Sequence, residues 1–89
     1  MSVRKHLLVS GRVQGVFYRD TCRRVAEQEG VAGWASNLAD GRVEIVLEGD
    51  AGAVERVEQW CREGTDWASV DSVDVTKEEP EGLSGFSIR

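Results

Sequence analysis

Apolar and polar positions alternate with two different periods along this chain. Residues 3–9 place Leu7 and Val9 on one side of an extended segment and predict a strand. Residues 11–18, carrying Gly11 and Gly15, read as a loop. Tyr18, Cys22, Val25 and Ala26 then form an apolar helical stripe that fades at Glu29, and Gly30 stands where a helix C-terminus favours glycine. Residues 32–38 predict a second strand, and Asp40-Gly41 signals a hairpin. From 42 to 48 the alternation is clean. Val43, Ile45 and Leu47 share one face; Arg42, Glu44 and Glu48 share the other, with Val46 as the exception.

A second helix follows. Asp50 is placed to cap it, Ala53, Val54, Val57, Trp60 and Cys61 form its apolar stripe, and Gly64 ends it. The acidic residues between 55 and 63 read as its solvated face. Val73 and Val75 mark a fourth strand. Pro80 and Gly82 break the chain, and Phe86 and Ile88 make a short final strand. The order is strand, helix, strand, strand, helix, strand, plus a small extra strand. This is the split βαβ, ferredoxin-like α+β arrangement: a mostly antiparallel sheet with both helices on one face. The right-handed crossover rule places the first and third strands centrally. No linker or repeat interrupts the pattern, so residues 1–89 read as one domain.

Composition narrows the function. A chain of 89 residues cannot divide into two halves that each bury a core. The net charge of −5 argues against nonspecific nucleic-acid binding, which needs basic side chains to neutralise phosphates. No apolar run approaches the roughly 18–20 residues needed to span a bilayer. The N-terminus does not read as a signal peptide, so a cytoplasmic protein with no membrane partner is expected. Lysine occurs only at positions 5 and 77, against nine arginines. A salt-adapted surface and GC-rich codon usage both account for that bias. Cys22 and Cys61 are too few for a zinc site and fall on apolar helix stripes; they read as small buried hydrophobes. A disulfide between neighbouring helices is the alternative.

Two segments could carry chemistry. In Gly11-Arg12-Val13-Gln14-Gly15-Val16-Phe17-Tyr18-Arg19, a loop joins a central strand to a helix N-terminus. Its amides and the helix dipole favour an anion, and the planar guanidinium of Arg19 can reach over the loop. A tight turn with a surface arginine is the competing reading. In Gly33-Trp34-Ala35-Ser36-Asn37-Leu38-Ala39-Asp40-Gly41, the Asn37 carboxamide can donate and accept at once, which suits holding a water. It could equally bond its own turn, as Asp40 is expected to. His6 is the only histidine and sits mid-strand, where a packing or solvent-facing role fits better than catalysis. Nothing resembles a catalytic triad or a cluster of metal-binding carboxylates.

Together the two segments resemble the acylphosphatase family. Its first signature, roughly G-x-V-Q-G-V-x-[FY]-R, fits residues 11–19, and its second, roughly G-[WFY]-x-x-N-x-x-D-G-x-V-E, fits residues 33–44. The length, the element order and the ending Gly85-Phe86-Ser87-Ile88-Arg89 also look like the family. Two departures stand out. Ser36 replaces a commonly basic or larger residue before the asparagine, which is expected to tune preference for substrate charge. The sequence stops at Arg89, where many members add an aromatic residue.

The resemblance implies hydrolysis of acyl phosphates by a monomeric enzyme that uses no cofactor and no metal. It implies that Arg19 binds the phosphoryl group with the loop residues Gln14, Gly15, Val16, Phe17 and Tyr18, and that Asn37 positions the attacking water. A phosphate-binding module without activity, as in the acylphosphatase-like domains of hydrogenase-maturation proteins, is the alternative. A purely structural adaptor that pairs through a sheet edge is a further one.

Overall fold

In a computed structural model that describes residues 1–89, five strands form one sheet in the order β4-β1-β3-β2-β5. They are β1 (Ser2–Arg12), β2 (Ala32–Asn37), β3 (Val43–Asp50), β4 (Ser69–Glu78) and β5 (Phe86–Ile88); the helices are α1 (Tyr18–Glu29) and α2 (Ala51–Glu63). β1 pairs antiparallel with β3 and β4, β2 antiparallel with β3, and only β5 runs parallel to its neighbour β2. β1 and β3 are central, as the crossover rule requires, and the ferredoxin-like α+β arrangement is the one observed. No helix is long and apolar enough to cross a membrane.

The core follows from the two periodicities. Leu7 and Val9 of β1 and Val43, Ile45 and Leu47 of β3 are fully buried in one cluster with Tyr18, Cys22 and Ala26 of α1 and Val54, Val57 and Cys61 of α2. Burying each Leu, Ile or Val stabilises the fold by about 1.5–3 kcal/mol relative to exposure. Cys22 and Cys61 are both free thiols in this core. The interaction with Cys61, followed by burial, pushes the Cys22 thiol pKa well up. Asp50 caps α2 by accepting from the Gly52 amide at 3.2 Å.

The structure departs from the sequence reading in four places. Gly11 and Arg12 are not loop residues. They extend β1, pairing with Val70 and Ser69 across a register shift after Ser10. Local pattern could not show this, because β4 supplies the partner from far along the chain. The hairpin turn is also longer than Asp40-Gly41 suggests: Leu38 donates its amide to the Arg42 carbonyl at 2.8 Å. The α2 acidic face is not uniformly solvated, because Glu58 pairs with Lys5 at 2.6 Å and Arg62 at 3.0 Å. Finally, Glu48 lies on the polar face as read, yet it is buried.

Glu48 closes the molecule. Its carboxylate accepts from the amides of Glu81 (2.9 Å), Gly82 (2.7 Å) and Leu83 (2.8 Å) and from Arg4 Nη1 (3.3 Å). These donors, the Glu81 amide foremost, hold its carboxyl below the usual range. The segment after β4 is thereby strapped down and delivers β5 to the edge of β2. Val46, the apolar exception of β3, sits in register between His6 and Trp34 and is buried on the face away from the core.

Candidate active site

The loop between β1 and α1 is anchored from below and open above. Val13 and Val16 are buried in the core. Gln14 donates through Nε2 to the carbonyls of Leu38 (2.8 Å) and Arg42 (2.9 Å), tying the loop to the β2–β3 turn. Thr65 Oγ1 donates to the Val16 carbonyl at 2.8 Å, fixing that peptide from the other side. Gly15 takes a φ of 71°, with open space where a Cβ would lie. That left-handed conformation is easy for glycine and costly for other residues.

Phe17 also takes the left-handed conformation (φ 60°, ψ 22°) and starts α1 without any side-chain cap. Outside the regular helices and strands, no backbone hydrogen bond uses the amides of Gly15 through Asp20 as donors. A helix begun this way presents a row of unpartnered N–H groups at the positive end of its dipole.

One cleft of about 300 Å³ brings Gly15, Phe17 and Arg19 together with Asn37 and Ile88. Arg19, in the first turn of α1, is partly buried, and its Nη1 donates to the Arg89 carbonyl at 2.9 Å. Asn37 ends β2 in register with Val43, is exposed, and its carboxamide takes no part in any side-chain hydrogen bond of the protein. Asp20 also lines the cleft, but Arg23 and Arg24 each pair with its carboxylate at 3.0 Å, which offsets its negative charge there. A larger cleft of about 450 Å³ between Gly30 and Phe86 is lined by Glu27 and Glu48 and by no basic side chain, so it offers an anion nothing.

The sequence-derived candidates thus separate by role. Arg19 and Asn37 meet in one cleft with the loop. The Gln14 side chain is engaged by the turn and not by the cleft. The Tyr18 phenol donates to the Cys61 carbonyl at 2.6 Å, and burial raises its pKa, so only its backbone is left for the site. Asp40 organises the turn, as expected: its carboxylate accepts from the Arg42 amide at 3.1 Å, and this bond leads in lowering its pKa. Three contributors escaped the sequence reading, namely Thr65, Ile88 and the Arg89 carbonyl. None lies in a local motif that announces a place beside the loop.

The family model for acylphosphatase matches residues 5–88. The chain belongs to the acylphosphatase family. It is 52% identical over 86 residues to the acylphosphatase of Haloarcula marismortui, a match covering 97% of this chain and 94% of that one. The acylphosphatase of Rubrobacter xylanophilus is 54% identical over 88 residues, covering 97% and 79%. Among solved structures, the acylphosphatase from Bacillus subtilis superposes with a TM-score of 0.94 at 35% identity over 98% of both chains. The family membership implied by the two signatures is therefore established by likeness along almost the whole acylphosphatase chain.

Proposed function

We propose that this acylphosphatase hydrolyses acyl phosphates to a carboxylate and inorganic phosphate in the cleft between the loop and Asn37. The observation that carries the reading is the meeting of Arg19, Asn37 and an uncapped helix N-terminus in one cleft. The phosphoryl oxygens sit against the amides of residues 14–18, and the Arg19 guanidinium provides further donors in a fixed plane. Asn37 holds a water with its carboxamide. The water oxygen attacks phosphorus, the bond from phosphorus to the acyl oxygen breaks with its electron pair, and the water proton passes to a phosphoryl oxygen. A carboxylate is a good leaving group, so no strong general acid is required. The protein contributes positioning and charge stabilisation, which is what a loose phosphoryl-transfer transition state needs.

Within this reading residues 1–89 act as one domain and as a monomer, and the free thiols of Cys22 and Cys61 fit a cytoplasmic setting.

The test is hydrolysis of benzoyl phosphate with EDTA present, comparing the wild type with Arg19→Ala and Asn37→Ala. Arg19→Ala removes about 3–4 kcal/mol of transition-state stabilisation, a loss of roughly a hundredfold or more in kcat. Asn37→Ala lowers kcat while inhibition by inorganic phosphate stays near the wild-type level. A wild type that binds phosphate without turnover fits the non-catalytic module instead.

A further inference from the structure

Phe17 is the only residue other than glycine with a positive φ. A bulky side chain in that conformation is strained, and glycine would relieve it. The ring does not earn its place by packing, because Phe17 is 68% exposed. It stands on the wall of the cleft that holds Arg19 and Asn37. Trp67, 64% exposed, meets it edge to face with centroids 5.7 Å apart and planes at 67°. Met1 aside, these are the two most exposed large apolar side chains of the chain.

The pair is held in place. Trp67 rides on a turn closed by the Ala68 amide donating to the Thr65 carbonyl at 3.1 Å. The same Thr65 grips the Val16 carbonyl at 2.8 Å. The turn carrying Trp67 is thus fastened to the anion loop itself, while its indole stays out of the core.

We infer that Phe17 and Trp67 form the subsite for the acyl half of the substrate and select neutral aryl or bulky apolar acyl groups over small ones. The inference rests on the acyl phosphate reading above. The acyl carbon is one oxygen away from phosphorus, and Phe17 belongs to the loop that cradles the phosphoryl group. A group projecting from that cradle meets the Phe17 ring first and the Trp67 edge next. An aryl ring gains stacked or edge-to-face contacts with both, whereas an acetyl group is too short to span the pair.

The test compares kcat/KM for benzoyl phosphate with that for acetyl phosphate. Inhibition by phenylphosphonate and by methylphosphonate gives a readout that needs no turnover. The wild type favours the aryl compound in both assays. Trp67→Ala lowers the benzoyl-to-acetyl ratio by about fivefold, the size expected of one aromatic contact, and lowers the phenyl-to-methyl inhibition ratio in parallel. Trp67→Phe recovers much of the preference, and Phe17→Gly loses it. Ratios unchanged in Trp67→Ala and Phe17→Gly, with both substrates still hydrolysed, overturn the subsite and leave the phosphate reading standing. Equal losses on both substrates overturn it too, because Trp67 then only supports the loop. A wild type that hydrolyses neither substrate overturns the reading beneath it and the subsite with it.

Discussion

Arg19 Nη1 donates to the carbonyl oxygen of Arg89 at 2.9 Å, joining the first turn of α1 to the residue that follows β5. The Arg89 amide in turn donates to the Ala35 carbonyl at 2.9 Å, and its guanidinium lies 4.3 Å above the Trp34 ring. The end of the sheet therefore orients the arginine proposed to hold the phosphoryl group. One of its five N–H donors is taken by this contact, and the planar fork leaves others directed elsewhere.

This geometry separates Arg19 from a generic positive charge. Arg19→Lys keeps the charge but cannot bond the Arg89 carbonyl and the substrate in one plane. The expected result is kcat closer to that of Arg19→Ala than to wild type. Steady-state kinetics of the three proteins decide it, and a lysine enzyme with near-normal kcat would show that charge alone suffices.

The Glu48 clasp makes acid sensitivity specific. Its carboxyl is held below its ordinary value of 4.5, first by the Glu81 amide. Because folding depresses this pKa, its stabilisation is complete above about pH 4.5 and drains away as pH falls through the lower folded-state value. Glu48→Gln leaves Arg4 and three amides facing a poorer acceptor, at a cost of about 3 kcal/mol near neutral pH. Urea midpoints of both proteins should differ widely at pH 7 and converge as pH drops below 4.5. A gap that holds constant with pH would place the stabilisation elsewhere.

Gly33 and Gly41 have positive φ for different reasons. A Cβ on Gly33 would lie 1.8 Å from the Val46 carbonyl oxygen, whereas one on Gly41 meets nothing within 4 Å. Gly33→Ala must push β2 off β3, and it should unfold the protein or cost several times what Gly41→Ala costs. Gly41→Ala pays only the left-handed strain of roughly 1–2 kcal/mol. Thermal melts of the two variants rank them directly.

Cys22 and Cys61 are both fully buried, and the Cys22 thiol pKa is raised. A thiol without access and without thiolate character is inert. Iodoacetamide at pH 7 should label neither cysteine in the native state and both in denaturant. Mass spectrometry of the two samples reads this out, and labelling at the native rate of a free thiol would contradict the packing.

The short-range signals were legible in the chain itself. The period-2 run of Val43, Ile45 and Leu47 and the helical stripe from Tyr18 to Ala26 fix which faces turn inward, because burial of apolar surface depends on local spacing. The caps at Gly30 and Asp50 are likewise local. The two signatures singled out Arg19 and Asn37 and implied the family, since each signature is a contiguous run, and the fold brings both residues to one cleft.

What tertiary structure alone decided was what each side chain meets across the sheet. Glu48 alternates like a surface residue, and only the strap at residues 81–83 buries it. Gln14 and Thr65 became supports of the loop, and Arg89 became a partner of Arg19, through contacts with residues distant in sequence. Such contacts depend on sheet order and strand register, which hydrophobic period does not encode. The pairing of Phe17 with Trp67 belongs with them: sequence shows two aromatic residues, and only the fold sets Phe17 on the wall of the cleft with Trp67 against its ring.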